Sequence, residues 1–253
     1  MLRTRIIPCL SLLNLGLVKT IKFQNPRYIG DPINAIKLFN DLEVDELAFV
    51  DISATRDKKG INFSLINKIV SECFMPLAIG GGVKTISDIK SIIKLGVEKV
   101  IINSEAAINP SFIMEASDIL GKQSVVVSID VKKNIFGKYQ VFIESGTICT
   151  KYSPVDFAIL MEEMGAGEIL LNSIDRDGMM KGYDIDIIRK VSENINIPLV
   201  ALGGAGSLND FKQAIEKGNA SAVSSGSMFV YHGKKNGILI NYPTQEEQFR
   251  LFK

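Results

Sequence analysis

The chain has little histidine and cysteine, and it lacks any apolar run as long as a membrane span. Because His232 is the single imidazole, acid–base chemistry near neutral pH must use Asp, Glu, Lys or an activated water. The three cysteines, Cys9, Cys73 and Cys149, lie far apart, with no CxxC spacing and no histidine nearby, which argues against a metal site. Free thiols suit a reducing compartment. We therefore expect a cytoplasmic protein with no metal and no cofactor.

An excess of either charge is also absent, since 29 basic and 28 acidic residues give a net charge of +1. This balance provides no overall field that would attract nucleic acid or an anionic membrane. The basic and apolar beginning is similar to a signal peptide, but Pro8, Ser11 and Asn14 interrupt it and no small-residue cleavage site follows. A small-molecule substrate or a protein partner is the expectation.

What the sequence does contain is a regular alternation of strand-like and helix-like segments. Eight apolar, β-branched stretches predict strands at 5–10, 45–52, 75–82, 98–104, 124–130, 167–175, 197–204 and 220–226. Segments with a helical period lie between them, for example at 31–42 and 86–96. Eight βα units in about 250 residues match a TIM barrel, and a doubly wound open sheet is the alternative.

An internal repeat favours the closed barrel. Residues 76–96 align without gaps on 198–218, and residues 46–60 align on 168–182 at the same shift. Two repeat halves, about 1–122 and 123–240, therefore predict a single TIM-barrel domain over residues 1–253, because an open sheet has no use for this symmetry.

Each half has a glycine pair after one strand and a polar turn of small residues after the next. Such loops let backbone N–H groups and a helix N-terminus surround an anion. The alternative is that the glycines only turn strand into helix. Because the paired loops occur twice, we predict two phosphate sites, and hence a ligand with a phosphate at each end, formed by Gly81, Gly82, Asn103, Ser104, Gly203, Gly204, Gly226 and Ser227.

The repeat also relates Ser11 and Asp130, at the ends of the first and fifth predicted strands. Two carboxylates at these places would face each other across the barrel mouth and could move protons on a substrate. Only Asp130 is a carboxylate here. The alternative for Asp130 is a helix cap or an ion-pair partner.

Several motifs together resemble one known family. The segments RIIPCL, GDP, DELAFVDI, IGGG, SIDRDG and ALGGAG, over about nine-tenths of the chain, look like the cyclase subunit of imidazole glycerol phosphate synthase. The related isomerase of the same pathway shares the half-barrel repeat but matches less well. The resemblance implies a barrel that receives ammonia from a separate glutaminase subunit and uses it to cleave a bisphosphate ribonucleotide.

The family's ammonia entrance corresponds to four charged residues at predicted strand beginnings, on the N-terminal face where the glutaminase subunit would bind. Two cations and two anions that converge there could pair and close a narrow opening. Ordinary solvated charge is the alternative reading of the residues alone. The four are Arg5, Glu46, Lys99 and Glu168.

The opposite face departs from the family. The resemblance places the two catalytic aspartates at Ser11 and Asp130, keeps the lysine of the first loop as Lys19, and matches Asp51 and Asp175 as substrate-facing residues. A serine hydroxyl has a pKa far above that of a carboxylate and cannot exchange protons near neutral pH. No histidine is available to activate it as a nucleophile. Position 11 has therefore lost an acid and gained no new catalyst.

The tail from residue 229 to 253 departs as well, because Gly233, Gly237 and Pro243 are expected to break any helix where the family has a long closing one. This ending resembles a branch of the family associated with surface-polysaccharide synthesis. In that branch the barrel and its glutaminase would supply ammonia to an ATP-dependent amidotransferase, which converts an acetamido sugar to an acetamidino sugar. A true cyclase that uses Asp130 alone, and a non-catalytic scaffold that activates a glutaminase, remain as alternatives.

Overall fold

The computed structural model describes residues 4–54, 57, 59–233 and 235–253. Residues 55, 56 and 58 of the repeated segment and residue 234 of the tail lie outside this part. The strands are β1 (Arg5–Leu13), β2 (Gly16–Ile21), β3 (Gln24–Gly30), β4 (Leu47–Asp51), β5 (Leu77–Gly80), β6 (Lys99–Ile102), β7 (Val125–Lys133), β8 (Tyr139–Ile143), β9 (Ile148–Cys149), β10 (Glu168–Ser173), β11 (Leu199–Leu202), β12 (Ala222–Ser225), β13 (Tyr231–His232) and β14 (Gly237–Ile238). The α-helices are α1 (Pro32–Asp41), α2 (Phe63–Glu72), α3 (Ile86–Lys94), α4 (Ser104–Ile108), α5 (Ser111–Leu120), α6 (Pro154–Glu163), α7 (Ile185–Ser192), α8 (Leu208–Glu216), α9 (Ser227–Val230) and α10 (Gln245–Leu251).

Eight of these strands close into a parallel barrel. Going round it, β1, β4, β5, β6, β7, β10, β11 and β12 pair in turn, and β12 pairs with β1 again. The prediction of a single TIM barrel is confirmed, and all eight predicted strands are present. Closure brings the carboxyl ends of all eight strands to one face, where TIM-barrel sites lie.

Local sequence signals begin several helices. Asp31 caps α1, where its carboxylate accepts hydrogen bonds from the backbone N–H groups of Ile33 and Asn34. Capping boxes begin α3, with Thr85 and Asp88, and α8, with Ser207 and Asp210. These two boxes occupy matching positions of the repeated segments, so the same residue types perform the same task in each half.

Apolar side chains fill two layers. The larger cluster lies between barrel and helices and includes the fully buried Phe39, Phe157 and Phe211. A second cluster fills the barrel interior with mostly small or branched side chains: Ile7, Cys9, Ala48, Ala78, Ile101, Val126, Leu170, Val200 and Ala222. Among the described residues, no helix is both long and apolar enough to span a membrane.

Two hairpins extend the barrel at its carboxyl-terminal face. β1 continues past the barrel and pairs antiparallel with β2, which pairs with β3; β7 does the same with β8, which pairs with β9. The sequence pattern did not predict these hairpins. One hairpin follows the first strand of each half, so the two hairpins occupy equivalent positions in the internal repeat.

The tail contains a short hairpin and then a helix. β13 and β14 pair, as glycines at 233 and 237 allow, and α10 follows Pro243. The expectation that this tail forms no helix is therefore wrong for Gln245–Leu251. Thr244 and Glu247 form a capping box there, which starts a new helix after the proline.

Candidate functional site

A cavity of about 200 Å³ opens at the carboxyl ends of the strands. Side chains from both halves and from both large hairpins line it, so the barrel closure described above creates it. Of the residues predicted from the sequence, Ser11, Lys19, Asp51, Gly81, Gly82, Asn103, Ser104, Asp130 and Gly226 line this cavity.

Asp130 lies on β7 at the point where the strand leaves the barrel. Its Oδ2 accepts a hydrogen bond from Asn103 Nδ2 at 3.2 Å, and the side-chain amide of Asn172 also bonds to its carboxylate. Burial raises the pKa of Asp130 to about 7, although both hydrogen bonds lower it. At neutral pH the Asp130 side chain is therefore protonated in part of the molecules and ionised in the rest, as a proton donor or acceptor requires.

Ser11 occupies the corresponding place on β1. Its Cα pairs with Val50 of β4 and Val18 of β2, and its side chain faces the cavity. The structure thus places a hydroxyl, rather than a second carboxylate, across from Asp130. A hydroxyl cannot supply a proton transfer that needs a pKa near 7.

Lys19 is buried, and its Nζ donates to the carbonyl oxygen of Cys9 at 2.8 Å. Burial lowers the pKa of Lys19, while Cys9 and Asp177 nearby act to raise it. A Cβ at Gly226 would lie 1.8 Å from this Nζ. The glycine therefore leaves the space in which the ammonium group sits.

Asp177 is a cavity residue that the sequence reasoning missed. Thr20 Oγ1 donates to its Oδ2 at 2.8 Å, and the N–H of Lys22 donates to its carbonyl oxygen at 3.0 Å. Burial raises the pKa of Asp177, against the hydrogen bond from Thr20 and the charge of Lys19, which lower it. This aspartate joins the first hairpin to the loop after β10.

Asp175, by contrast, does not line this cavity, and its place facing substrate stays a prediction. Its Oδ2 accepts a hydrogen bond from the backbone N–H of Lys133 at 3.0 Å. The motif SIDRDG contains both Asp175 and Asp177, and the turn after β10 decides which of them points inward. The Asp–Gly pair at its end was the available signal, because such a pair marks a tight turn.

Asp51 faces the cavity but its carboxylate also shapes the loop that follows β4. Its Oδ1 accepts hydrogen bonds from the N–H and hydroxyl of Ser53, at 2.8 and 2.7 Å, and from the N–H of Ala54 at 3.2 Å. Oδ1 is thus used to form a turn.

One of the two predicted phosphate sites is open to the cavity. Gly81 and Gly82, with φ of 106° and 75°, take backbone conformations that favour glycine, and Asn103 and Ser104 lie beside them. Of the four predicted phosphate-binding residues in the other half, Gly226 lines the cavity. Gly203, Gly204 and Ser227 lie outside the lining.

The loop after β10 covers the second site. The N–H of Gly182 donates to the carbonyl oxygen of Gly204 at 2.9 Å, and a Cβ at Gly204 would lie 2.4 Å from Gly182 O.

The four charged residues at the opposite, N-terminal end form a closed ring of ion pairs. Arg5 pairs with Glu46 at 2.6 Å and with Glu168, and Lys99 pairs with Glu46 at 2.9 Å and with Glu168 at 3.2 Å. Both glutamates are buried, which does not fit the alternative of ordinary solvated charge. Burial lowers the pKa of Arg5, but the two glutamates outweigh this effect and raise it overall.

The interior cluster connects this ring to the cavity. Three of its members, Cys9, Ile101 and Leu170, also form the floor of the cavity. From one end to the other, the barrel axis therefore passes a charged ring, an apolar layer and a polar cavity. Within the described residues, no group of three or more His, Cys, Asp or Glu side chains could hold a metal ion.

Comparisons with known proteins fit this arrangement. A family model described as "Histidine biosynthesis protein" matches residues 5–236. The chain is 50% identical over 243 residues to a Pseudomonas aeruginosa protein named "Putative imidazole glycerol phosphate synthase subunit hisF2", covering 96% of this chain and 97% of that one. It is 50% identical over 253 residues to the Leptospira interrogans "Putative imidazole glycerol phosphate synthase subunit HisF", covering 100% of both. It is 41% identical over 232 residues to the Alkaliphilus metalliredigens "Imidazole glycerol phosphate synthase subunit HisF", covering 92% of both.

Proposed function

This chain belongs to the family of HisF cyclase subunits of imidazole glycerol phosphate synthase, and on that premise we propose that it delivers ammonia to a separate sugar-modifying enzyme. In this proposal a glutaminase subunit binds the N-terminal face and releases ammonia, which passes through the barrel. An ATP-dependent amidotransferase then uses the ammonia to convert an acetamido group on a sugar to an acetamidino group, in surface-polysaccharide synthesis.

One observation carries the proposal: the ring at the N-terminal end is complete, while the acid pair at the other end is not. Arg5 and Lys99 each bridge both buried glutamates, so every member of the ring is paired with two others. Burying four charges is costly, so stability is a weak explanation for such a ring. We infer that the ring gates ammonia.

The carboxyl-terminal face also supports the proposal that this chain supplies ammonia and a separate enzyme uses it. Asp130 has a pKa suited to proton transfer, but Ser11 offers no partner acid or base. Gly182, in the loop after β10, contacts Gly204 of the second predicted phosphate site.

A true cyclase of histidine synthesis is the second candidate, and Asp177 favours it. This aspartate gives the cavity a second buried carboxylate with a raised pKa. In this reading Asp177 would take over the proton transfer that Ser11 cannot perform.

An isotope experiment tests the delivery of ammonia. The chain, a glutaminase subunit and the sugar amidotransferase are combined with an acetamido sugar, ATP and glutamine labelled with ¹⁵N in its amide, in the presence of excess unlabelled ammonium chloride. We expect ¹⁵N to predominate in the acetamidino product, because channelled ammonia does not mix with the medium. A product with the isotope ratio of the medium, or no product, would contradict the proposal.

A further inference from the structure

The turn between β7 and β8, in the second hairpin, exposes two large apolar side chains. Ile135 is 92% exposed and Phe136 is 81% exposed. Single exposed apolar residues are common on protein surfaces, but two adjacent ones of this size form a patch that is typical of an interaction site. This turn, residues 134–137, is called the hairpin tip below.

Hydrogen bonds hold the hairpin tip in one conformation. Asn134 Oδ1 accepts from the N–H groups of Phe136 and Lys138, at 2.9 and 3.0 Å. The N–H of Asn134 donates to the carbonyl oxygen of Lys138, and the N–H of Gly137 donates to that of Asn134, both at 2.9 Å. A partner that bound the tip would therefore pay little for ordering its backbone.

A pocket of about 350 Å³ lies directly beside the tip. Gly137 and Lys138 line it from the hairpin, and the beginning of α6 and part of α7 line it from the barrel side. Lys133 and Lys190 line it as well, with their Nζ atoms 4.6 and 5.8 Å from the centroid of the Tyr139 ring. Three ammonium groups thus surround one pocket, which is called the basic pocket below.

Two carboxylates offset part of this charge. Asp184 Oδ2 lies 3.8 Å from Lys133 Nζ, and Asp186 Oδ2 lies 3.0 Å from Lys190 Nζ. Lys138 forms no ion pair with any residue that the structure describes. The basic pocket therefore keeps one positive charge without a partner, and this charge favours an anionic group such as a carboxylate.

The two hairpins as a whole are basic. Residues 14–30 and 131–151 contain seven Lys or Arg residues and a single acidic residue, Glu144, although the whole chain has a net charge of +1. The four lysines of the second hairpin lie outside the lining of the cavity, so a ligand held in the cavity does not explain them. A protein partner with an acidic surface does.

The hairpins border the mouth of the cavity. Lys19 and Thr20 of the first hairpin line it, as do Glu144 and Ser145 of the second. A protein bound across both hairpins would cover the mouth, at the end of the barrel opposite the charged ring. Ammonia released into water is diluted and protonated, so an enzyme that uses channelled ammonia has to seal this end.

We propose that the hairpin tip and the basic pocket are the docking surface for the enzyme that uses the ammonia. The partner offers an apolar pocket for Ile135 and Phe136 and a carboxylate side chain for Lys138. This inference rests on the proposed function and adds to it the face, the residues and the chemistry of the partner's surface.

Isothermal titration calorimetry of the full chain with the sugar amidotransferase tests the apolar part. Ile135→Ser combined with Phe136→Ser should weaken binding about tenfold or more, because central aromatic anchors dominate interface energies. Phe74→Ser is the matched control: Phe74 is 85% exposed and lies in the loop before β5, on the N-terminal face, so its loss should leave the affinity unchanged. Equal affinities of the double variant and the native chain, or no binding by the native chain, overturn the proposal.

A charge reversal tests the acidic partner. Lys138→Glu should weaken binding about tenfold or more, whereas Lys90→Glu, at an exposed position on α3, should not. An unchanged or higher affinity in Lys138→Glu overturns the assignment of a carboxylate to the basic pocket. Urea unfolding of each variant, expected to match that of the native chain, confirms that these exposed substitutions leave the fold intact.

Sedimentation and the ¹⁵N experiment separate the remaining outcomes. A native-chain dimer that the double variant dissociates assigns the tip to a second copy of this chain and overturns the proposal. If the double variant binds the amidotransferase weakly but the native complex gives a product with the isotope ratio of the medium, the proposed function fails and the docking surface stands. If the double variant binds and channels ¹⁵N as the native chain does, the docking surface fails and the function stands.

Discussion

Ser11 and Asp130 hold equivalent positions in the two halves of the barrel. Each lies where a barrel strand continues into a hairpin, Ser11 opposite Val18 and Asp130 opposite Phe142. The backbone at both positions is thus arranged alike, and the chemical difference between them lies in one carboxyl group. This relationship makes the loss of the acid a local change that a single substitution can reverse.

Asp130 should make the stability of the chain depend on pH. Burial raises its pKa to about 7, whereas an unfolded aspartate titrates near pH ~3.9. Between these values the folded chain holds one more proton, so its contribution to the free energy of unfolding falls as the pH rises and is constant above the folded pKa. From pH 5 to pH 8 the free energy of unfolding of the native chain should therefore fall by about 2 kcal/mol more than that of Asp130→Asn.

Urea unfolding at the two pH values measures this difference. Asp118→Asn, at an exposed position on α5, is the matched control and should show no such difference. Equal pH dependence in the native chain and in Asp130→Asn would show that Asp130 titrates in the folded chain as it does in the unfolded one.

The ring at the N-terminal end should couple glutamine hydrolysis to product formation. Lys99→Met leaves Glu46 and Glu168 with Arg5 as their remaining partner in the ring. We expect product per glutamine to fall severalfold while glutamine hydrolysis by the complex continues, because the gate loses its order. Lys90→Met, at an exposed position on α3, should leave the ratio unchanged. An unchanged ratio in Lys99→Met would favour the scaffold alternative over a channel.

Tyr242 should anchor the tail to the barrel. Its hydroxyl donates to the carbonyl oxygen of Ile6 at 2.8 Å and accepts from the N–H of Asp45 at 3.3 Å, both near the N-terminal face. Tyr242→Phe removes both hydrogen bonds, one of them to the buried Ile6 carbonyl, and should cost about 1–3 kcal/mol in urea unfolding. Tyr28→Phe, on an exposed side chain, should cost little. Similar costs for the two variants would refute an anchoring role.

Gly204 should tolerate no side chain. Gly204→Ala combines a φ of 116° with a Cβ at 2.4 Å from Gly182 O, whereas Gly60→Ala has a φ of 68° and nothing within 4 Å. Gly60→Ala controls for part of the backbone strain, and the remaining difference combines the greater strain at a φ of 116° with the contacts to Gly182 O and Arg176 Cβ. We expect Gly204→Ala to be less stable than Gly60→Ala by about 2 kcal/mol or more, of the order found for overpacked cores. Equal stabilities would show that the loop moves away at little cost.

The barrel could be predicted from the sequence because buried parallel strands are apolar throughout and because the repeat is visible without gaps. The hairpins could not be predicted, since segments such as residues 16–30 contain turn residues, charges and no clear period of two. The choice between Asp175 and Asp177 depended on one turn, and the helix at Gln245–Leu251 depended on a capping box after a proline.

The residues of the site likewise divide into those that could be predicted from the sequence and those that could not. The four residues of the charged ring were placed through the family resemblance, and the structure adds that each cation bridges both anions. Asn172, whose side-chain amide bonds to the Asp130 carboxylate, had no signal in the sequence, because an asparagine at a strand end is ordinary until its neighbours are known. The contact between Gly182 and Gly204, at the second predicted phosphate site, likewise had no signal in the sequence, because it joins two separate segments.

The most direct test of the account is turnover of the bisphosphate ribonucleotide by the purified chain, with ammonium chloride supplied in place of a glutaminase. We predict that the native chain forms no imidazole glycerol phosphate above background. Ser11→Asp should raise the rate at least about tenfold, since a positioned acid or base contributes ~10²-fold or more, and Ser11→Asn, of similar size, should not. Robust turnover by the native chain would contradict the account and make the protein a cyclase.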